Sequence, residues 1–92
     1  MIRSFRDKRT ARFAAGHEVR EFAAFAAQAR KRLLILESAE RIEDLMRLPS
    51  NRIEALRGDR KGQFSIRINE RWRLCFRFAE GDAQDVEIVD YH

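Results

Sequence analysis

The spacing of the apolar residues changes partway along the chain, from a helical repeat to a strand repeat. Between Glu18 and Glu37, apolar residues recur at intervals of three and four, which is typical of an amphipathic helix. Between Phe64 and Phe78, apolar and polar residues alternate, which is typical of half-buried strands. A chain of 92 residues is long enough for one domain, spanning 1–92, so both kinds of element share a core. The sequence therefore predicts an α+β domain, with N-terminal helices packed on one face of an antiparallel β-sheet.

End signals divide these patterns into separate elements. Three helices are predicted over 7–15, 18–37 and 39–46, and the residues that favour their ends are Asp7, Gly16, Ser38 and Pro49. Three strands follow, with turns at Asn69–Glu70 and Glu80–Asp82. Residues 2–5 fit a short additional strand. The helices are the only elements available to cover the apolar face of the sheet.

Arginines dominate the other, polar face of the predicted sheet. They are Arg67, Arg71, Arg73 and Arg77. Because no helix is left to cover this face, we expect it to face solvent. Two interpretations stay open. Asp85 and Glu87 on the third strand form ion pairs with the arginines, or a phosphodiester backbone lies across them.

The basic residues are concentrated in the middle of the chain. There are 19 Lys and Arg against 15 Asp and Glu, which gives a net charge of +4. Residues 47–77 hold nine basic and three acidic residues, whereas residues 78–92 hold five acidic residues and no basic one. Most of the bases are arginine, which grips phosphate through two hydrogen bonds. This distribution favours a nucleic-acid partner, and a solvated surface of ion pairs is an equal alternative on charge alone.

Composition excludes several classes of function. No run approaches the roughly 20 apolar residues of a membrane-spanning helix, and no apolar stretch follows the N-terminal charges as in a secretion signal. We therefore expect a cytoplasmic protein with no membrane partner. The single cysteine, Cys75, cannot form an internal disulfide, and nothing marks it as a nucleophile. Two histidines and one cysteine offer no metal-ligand spacing, so we expect neither a metal nor a cofactor.

Two further stretches carry side chains suited to catalysis. In the tripeptide Asp90–Tyr91–His92, the imidazole can transfer a proton near neutral pH, the phenol can stack on a base, and the carboxylate can orient the imidazole. Before the first predicted strand, Glu54 and Arg57 could point toward one cleft. A salt bridge with a nearby arginine is the alternative role for Glu54.

Several of these stretches resemble one family over the whole chain. The matching segments are MIRSFRDK (1–8), LRGDRKGQFSIRIN (56–69), WRLCF (72–76), GDA (81–83) and VEIVDYH (86–92). Together they are similar to the HigB branch of the RelE/ParE toxin superfamily. The resemblance implies a RelE-like fold and the toxin of a type II toxin–antitoxin system. Such toxins are ribosome-dependent endoribonucleases that cut messenger RNA in the ribosomal A site and inhibit translation.

The resemblance also implies partners and a mechanism. The partners are a HigA-like helix-turn-helix antitoxin, messenger RNA and the ribosome, and operator DNA bound through the toxin–antitoxin complex. The reaction is a metal-free attack of a ribose 2′-OH on the adjacent phosphate. By position, Arg73 stabilises the phosphate, Arg57 is a second basic residue, His92 transfers a proton, Tyr91 positions the substrate, and Asp90 supports His92.

Glu54 departs from the family pattern, since some relatives have a histidine there. We expect Glu54 either to act with His92 as a base and acid pair, or to form a salt bridge with Arg57 or Arg73. The further basic residues expected to contact RNA are Arg60, Lys61, Arg67, Arg71 and Arg77. The alternative function is a non-catalytic RelE-like module that binds nucleic acid or the antitoxin.

Overall fold

The helices of the first half pack on one face of an antiparallel sheet formed by the second half. The structure is a computed structural model that describes residues 1–90. The helices are α1 (Lys8–Ala14), α2 (Ala26–Ser38) and α3 (Ile42–Met46), with 3-10 turns at Arg20–Phe25, Pro49–Asn51 and Gly58–Arg60. The strands are β1 (Glu54–Ala55), β2 (Phe64–Arg67), β3 (Trp72–Ala79) and β4 (Asp82–Asp90), in the order β1-β2-β3-β4. The predicted α+β architecture is confirmed.

The core lies between α2 and the sheet. Apolar residues of both layers are fully or almost fully buried, and they include Ala29, Leu33, Leu36, Ile66, Leu74 and Ile88. Phe22 sits at one end of this core, where its ring packs 5.4 Å from that of Phe13 and 5.7 Å from that of Trp72. The predicted apolar sheet face and its helical cover are therefore the observed ones.

The long helix predicted over 18–37 differs from the observed structure in its first part. Residues Arg20–Phe25 form a 3-10 turn, and the α-helix begins only at Ala26. In a 3-10 turn, residues three apart point to the same side. This geometry buries both Phe22 and Phe25 against Trp72, with the Phe25 and Trp72 ring centroids 4.8 Å apart.

The predicted cap of α3 is wrong, whereas that of α1 is correct in position. The Ser38 hydroxyl donates to the Leu34 carbonyl within α2 at 3.0 Å, and α3 begins at Ile42 rather than 39. The start of α3 is capped by Asp44, whose Oδ2 accepts the backbone N–H groups of residues 40 and 41 at 3.0 and 3.1 Å. Asp7 is the N-cap residue of α1, as predicted, although its carboxylate makes no capping hydrogen bond. Gly16 does adopt the predicted left-handed conformation after α1, with φ of 101°.

Strand β4 contains a β-bulge. Cys75 pairs with Glu87, whereas Arg77 pairs with Gln84, so β4 holds one extra residue between these pairs. Asp85 absorbs it with φ of 54°. The N-terminal segment lies beside this strand, with isolated parallel bridges from Ile2 and Phe5 to β4.

Candidate functional site

The sheet face opposite the helices carries a row of polar side chains that crosses all four strands. Glu54 on β1 pairs with Ser65 on β2, Ser65 pairs with Cys75 on β3, and Cys75 pairs with Glu87 on β4. Directly paired residues of antiparallel strands project to the same face. Arg67 and Arg73 form the neighbouring pair of this face, which we call the polar face.

The centre of the polar face is covered, which corrects the expectation that the whole face is open to solvent. The Arg60 guanidinium donates to Gln63 on the β2 side at 3.2 Å and to Glu87 on β4 through two N–H groups at 3.2 Å each. Its side chain therefore crosses in front of β3. Ser65 and Cys75 are fully buried, and Gln63 is 2% exposed. This cover is formed by Arg60 of the 3-10 turn Gly58–Arg60 and not by a helix.

Arg73 lies beside this cover and is held by hydrogen bonds to two residues, Ser65 and Arg52. Its Nε donates to the Ser65 hydroxyl at 2.7 Å. Its Nη2 donates to the backbone carbonyl of Arg52 at 2.5 Å and to that of Ser65 at 3.4 Å. Within residues 1–90, Nη1 of Arg73 makes no hydrogen bond. The Arg73 side chain is partly exposed, so its Nη1 can reach a ligand.

Arginines on the β3–β4 side of the sheet are paired with acids. Nε of Arg77 lies 3.6 Å from Asp85, and a Cβ at Gly62 would lie 2.6 Å from Nη1 of the same arginine. Arg71 donates to Asp90 through Nε at 3.3 Å and Nη2 at 2.5 Å, and these hydrogen bonds raise the pKa of Arg71. The ion-pair interpretation of the polar face is therefore confirmed on this side.

Within residues 1–90, three cations on the β1–β2 side have no such partners. In the described part of the chain, the side chains of Arg57, Lys61 and Arg67 make neither an ion pair nor a hydrogen bond. Arg67 also lies directly opposite Arg73, so two guanidinium-bearing residues are neighbours across the ladder. Like charges at such positions repel unless an anion lies between them.

Glu54 is exposed on β1 and, among residues 1–90, forms no ion pair with Arg57 or Arg73. Because Glu54 pairs with Ser65, which holds Arg73, its carboxylate projects to the same face as that guanidinium. The predicted catalytic residues Tyr91 and His92 lie outside the described residues.

Cys75 is buried beneath this site and is not a nucleophile poised for reaction. Burial is the main cause that raises the pKa of its thiol, so the unreactive thiol form is favoured. Within residues 1–90, no three His, Cys, Asp or Glu side chains group as metal ligands. None of the helices in that range combines the length and apolar character needed to cross a membrane.

A cavity of about 530 Å³ lies elsewhere, between the N-terminal segment, α1 and α2. Its lining is largely apolar and includes Ile2, Phe5, Leu33 and Leu34. Only Arg30 and Glu37 contribute charges to this lining. The chemistry-bearing residues therefore gather on the polar face rather than in this cavity.

Two groups of the site were missed by the sequence interpretation. Ser65 had a signal, because it alternates with Phe64 and Ile66 and so belongs on the arginine-bearing side. Arg52 had none, because it contributes a backbone carbonyl and sits in a left-handed conformation with φ of 43°.

The fold and site thus define a class of small, basic α+β protein. Its antiparallel sheet is covered by helices on one face, and the other face carries Arg73 beside cations that are unpaired within residues 1–90. The sequence model of the HigB-like toxin family, described as RelE-like toxin of type II toxin-antitoxin system HigB, matches residues 3–92. The chain belongs to this family.

Two curated relatives agree with this assignment. The chain is 38% identical to Endoribonuclease HigB of Proteus vulgaris over 61 residues, which cover 66% of this chain and 65% of the relative. It is 43% identical to Toxin HigB-1 of Vibrio cholerae over 53 residues, which cover 58% of this chain and 56% of the relative. The matched part is less than two thirds of the length of either relative.

Proposed function

We propose that the protein is an endoribonuclease toxin that cuts messenger RNA in the ribosomal A site and thereby inhibits translation. The observation that carries the proposal is Arg73, whose guanidinium is anchored at one edge and unbonded at Nη1 among the described residues. The relative named Endoribonuclease HigB supports the same activity class. In a type II system the toxin is neutralised by an antitoxin, here a HigA-like helix-turn-helix protein, and the complex binds operator DNA.

The proposed reaction is cleavage by the RNA's own 2′-OH, without a metal ion. A base takes the 2′-OH proton, the 2′ oxygen bonds to phosphorus, and the bond from phosphorus to the 5′ oxygen breaks. An acid protonates the departing 5′ oxygen, and a 2′,3′-cyclic phosphate remains. The phosphorane-like transition state carries more negative charge than the substrate. A cation fixed in place before the reaction therefore lowers the barrier.

Arg73 is the proposed source of this charge stabilisation. Glu54 is the proposed base, and its exposed carboxylate on the same face as Arg73 supports that role. His92 is proposed as the acid, with Tyr91 as a substrate-positioning residue. Asp90, which bonds Arg71, is proposed to support His92.

The proposed RNA path runs along the β1–β2 side of the polar face. Unpaired cations suit phosphates better than cations already neutralised by carboxylates. Arg57, Lys61 and Arg67 are of the first kind, which supports their predicted contact with RNA. The other predicted RNA contacts, Arg60, Arg71 and Arg77, have acidic partners, so we assign them a smaller share of RNA affinity.

Primer extension on a defined messenger RNA tests the proposal. The purified protein is added to a translation mixture that contains ribosomes and, separately, to the same RNA without them. We expect cut sites within codons only when ribosomes are present. Cutting in both mixtures would refute ribosome dependence. Intact RNA in both, together with measurable RNA binding, would favour the non-catalytic binding module instead.

A further inference from the structure

The geometry around Arg73 points to a positioning device for its guanidinium. We propose that the Ser65 hydroxyl and the backbone carbonyl of Arg52 hold Arg73 in the orientation needed for phosphate binding. This inference rests on the proposed function, because it assumes that Arg73 contacts the scissile phosphate. Ser65 and Arg52 are positioning residues, since they act through Arg73 rather than on the RNA.

The pattern of hydrogen bonds divides the guanidinium into a held edge and a free end. Nε is bonded to the Ser65 hydroxyl at 2.7 Å and Nη2 to the Arg52 carbonyl at 2.5 Å. A guanidinium offers five N–H donors in one rigid plane. Fixing Nε and Nη2 therefore fixes where the two N–H groups of Nη1 point. No described residue accepts from Nη1, which leaves it for a phosphate oxygen.

Ser65 is well suited to hold a side chain in place. It lies in the middle of β2, is fully buried, and is paired with strands on both sides. Its carbonyl is a further acceptor for Nη2 at 3.4 Å. The hydroxyl thus belongs to the rigid sheet rather than to a loop, and the position of Arg73 follows from the sheet.

Arg52 contributes through an uncommon backbone conformation. Its φ of 43° and ψ of 53° are left-handed, which residues with a Cβ adopt rarely. Its N–H closes the preceding 3-10 turn by donating to the Pro49 carbonyl at 3.1 Å. Its own carbonyl accepts from Arg73 Nη2. An extended backbone at this residue would redirect that carbonyl, so the left-handed conformation is part of the device.

The consequence for the reaction is preorganisation. A long arginine side chain loses rotamer freedom when it binds a phosphate. Here acceptors on Ser65 and Arg52 already restrict Arg73 before RNA arrives, while Arg67 opposite has no such acceptors among the described residues. A misplacement of about 1 Å in a catalytic group can cost about 100-fold in rate. Loss of the acceptors should therefore lower kcat more than it raises KM.

Steady-state cleavage of ribosome-bound messenger RNA by Ser65→Ala provides the test. We expect kcat to fall about 10- to 100-fold, with KM changed less than about three-fold. Thr10→Ala is the matched control, because Thr10 is also fully buried and its hydroxyl accepts the Ile88 N–H away from Arg73. It should lower stability and leave kcat unchanged. Ser65→Thr, which keeps the hydroxyl, should recover most of kcat.

Ser65→Cys replaces the hydroxyl by a weaker acceptor of similar shape, and it gives the same test if Ser65→Ala fails to fold. Arg73→Lys supplies the background for a double-mutant comparison. Lysine keeps the charge but lacks the guanidinium Nε–H that donates to the Ser65 hydroxyl. Removing the Ser65 hydroxyl in that background should change kcat less than about three-fold. An equal loss in both backgrounds would overturn the role of Ser65.

The Arg52 carbonyl is tested by two substitutions that remove the same charge. Asparagine tolerates the left-handed conformation, whereas a β-branched valine resists it. We expect Arg52→Val to cleave at least about ten-fold more slowly than Arg52→Asn. Equal rates would overturn the role of the carbonyl. If Arg73→Ala itself cleaved like the wild type, the proposed function would fail. If Arg73→Ala were inactive while Ser65→Ala and Ser65→Cys were fully active, only the positioning device would fail.

Discussion

Replacement of Glu87 by glutamine is expected to loosen the cover of the polar face. Glu87 Oε1 accepts two N–H groups of Arg60 at 3.2 Å each and lies 3.7 Å from Nε of Arg6. The Glu87 and Arg60 side chains are only 20% and 26% exposed, whereas Arg6 is 54% exposed. The Arg60 pair is therefore the one that matters for stability.

The magnitude follows from this partial burial. A hydrogen bond to a charged group is worth about 1.5–3 kcal/mol, and an exposed ion pair about 0–1 kcal/mol. Because Glu87 and Arg60 keep roughly a quarter of their exposure, we place the loss for Glu87→Gln at the low end, about 1.5 kcal/mol. For a domain of this size, that corresponds to a fall in Tm of about 6–12 °C.

Two assays measure the effect of Glu87→Gln. Urea denaturation gives the free energy of unfolding, and the rate of Cys75 alkylation in the native protein reports opening of the cover that Arg60 forms. A loss of about 1.5 kcal/mol should speed alkylation about ten-fold. Glu80→Gln is the control, because Glu80 is exposed and has no ion pair within residues 1–90. If Glu87→Gln matched this control in both assays, the reasoning about the cover would be refuted.

Three other predictions concern the core, a helix cap and the RNA path. Phe22→Ala should lower the free energy of unfolding by about 3–5 kcal/mol, measured in urea, because a fully buried ring is lost; a loss below about 1 kcal/mol would contradict this packing. The Asp44 carboxylate accepts two backbone N–H groups, which lower its pKa, so this cap stabilises the fold at neutral pH. Asp44→Asn should therefore melt earlier than wild type at pH 7, and the two should converge as the pH falls below about 4; a constant difference would contradict the cap. Arg67→Gln should weaken binding of a non-cleavable RNA and reduce the slope of log binding constant against log salt concentration by about 0.7. Arg77→Gln removes a cation that is already paired and should have a smaller effect. Equal effects of the two variants would contradict the proposed RNA path.

The elements predicted correctly are those whose signals are local. The alternation around Phe64 and Ile66 and the long apolar stripe of α2 each depend on residues a few positions apart. Burial of one face is a direct consequence of such a period. The resemblance of segments 56–69 and 86–92 to HigB toxins then indicated the family, which the match over residues 3–92 confirms.

The errors come from competition between local groups. Ser38 is a good N-cap residue in isolation, but its hydroxyl is satisfied inside α2 by the Leu34 carbonyl. Asp44 then supplies the cap from within α3. Both residues are reasonable caps by type, so residue preference alone could not choose between them.

The cover of the polar face was not predictable from local patterns. Arg60 and Glu87 are 27 positions apart, and their contact exists only because β3 and β4 return the chain to the same face. The same holds for the carbonyl of Arg52, which lies 21 positions from Arg73. The alternation of apolar and polar residues placed Arg73 on the correct face. It could not show which arginines form ion pairs with acids and which are held by uncharged hydrogen-bond acceptors.

The central claim is that Arg73 acts on the phosphate, and cleavage by Arg73→Ala measures this most directly. The comparison is with Arg77→Ala, which removes a cation of the same strand that is paired with Asp85. With both variants folded, we predict that Arg73→Ala cuts ribosome-bound messenger RNA about 100- to 1,000-fold more slowly than the wild type, and that Arg77→Ala stays within about three-fold of it. Equal cleavage rates for the two variants would contradict the account.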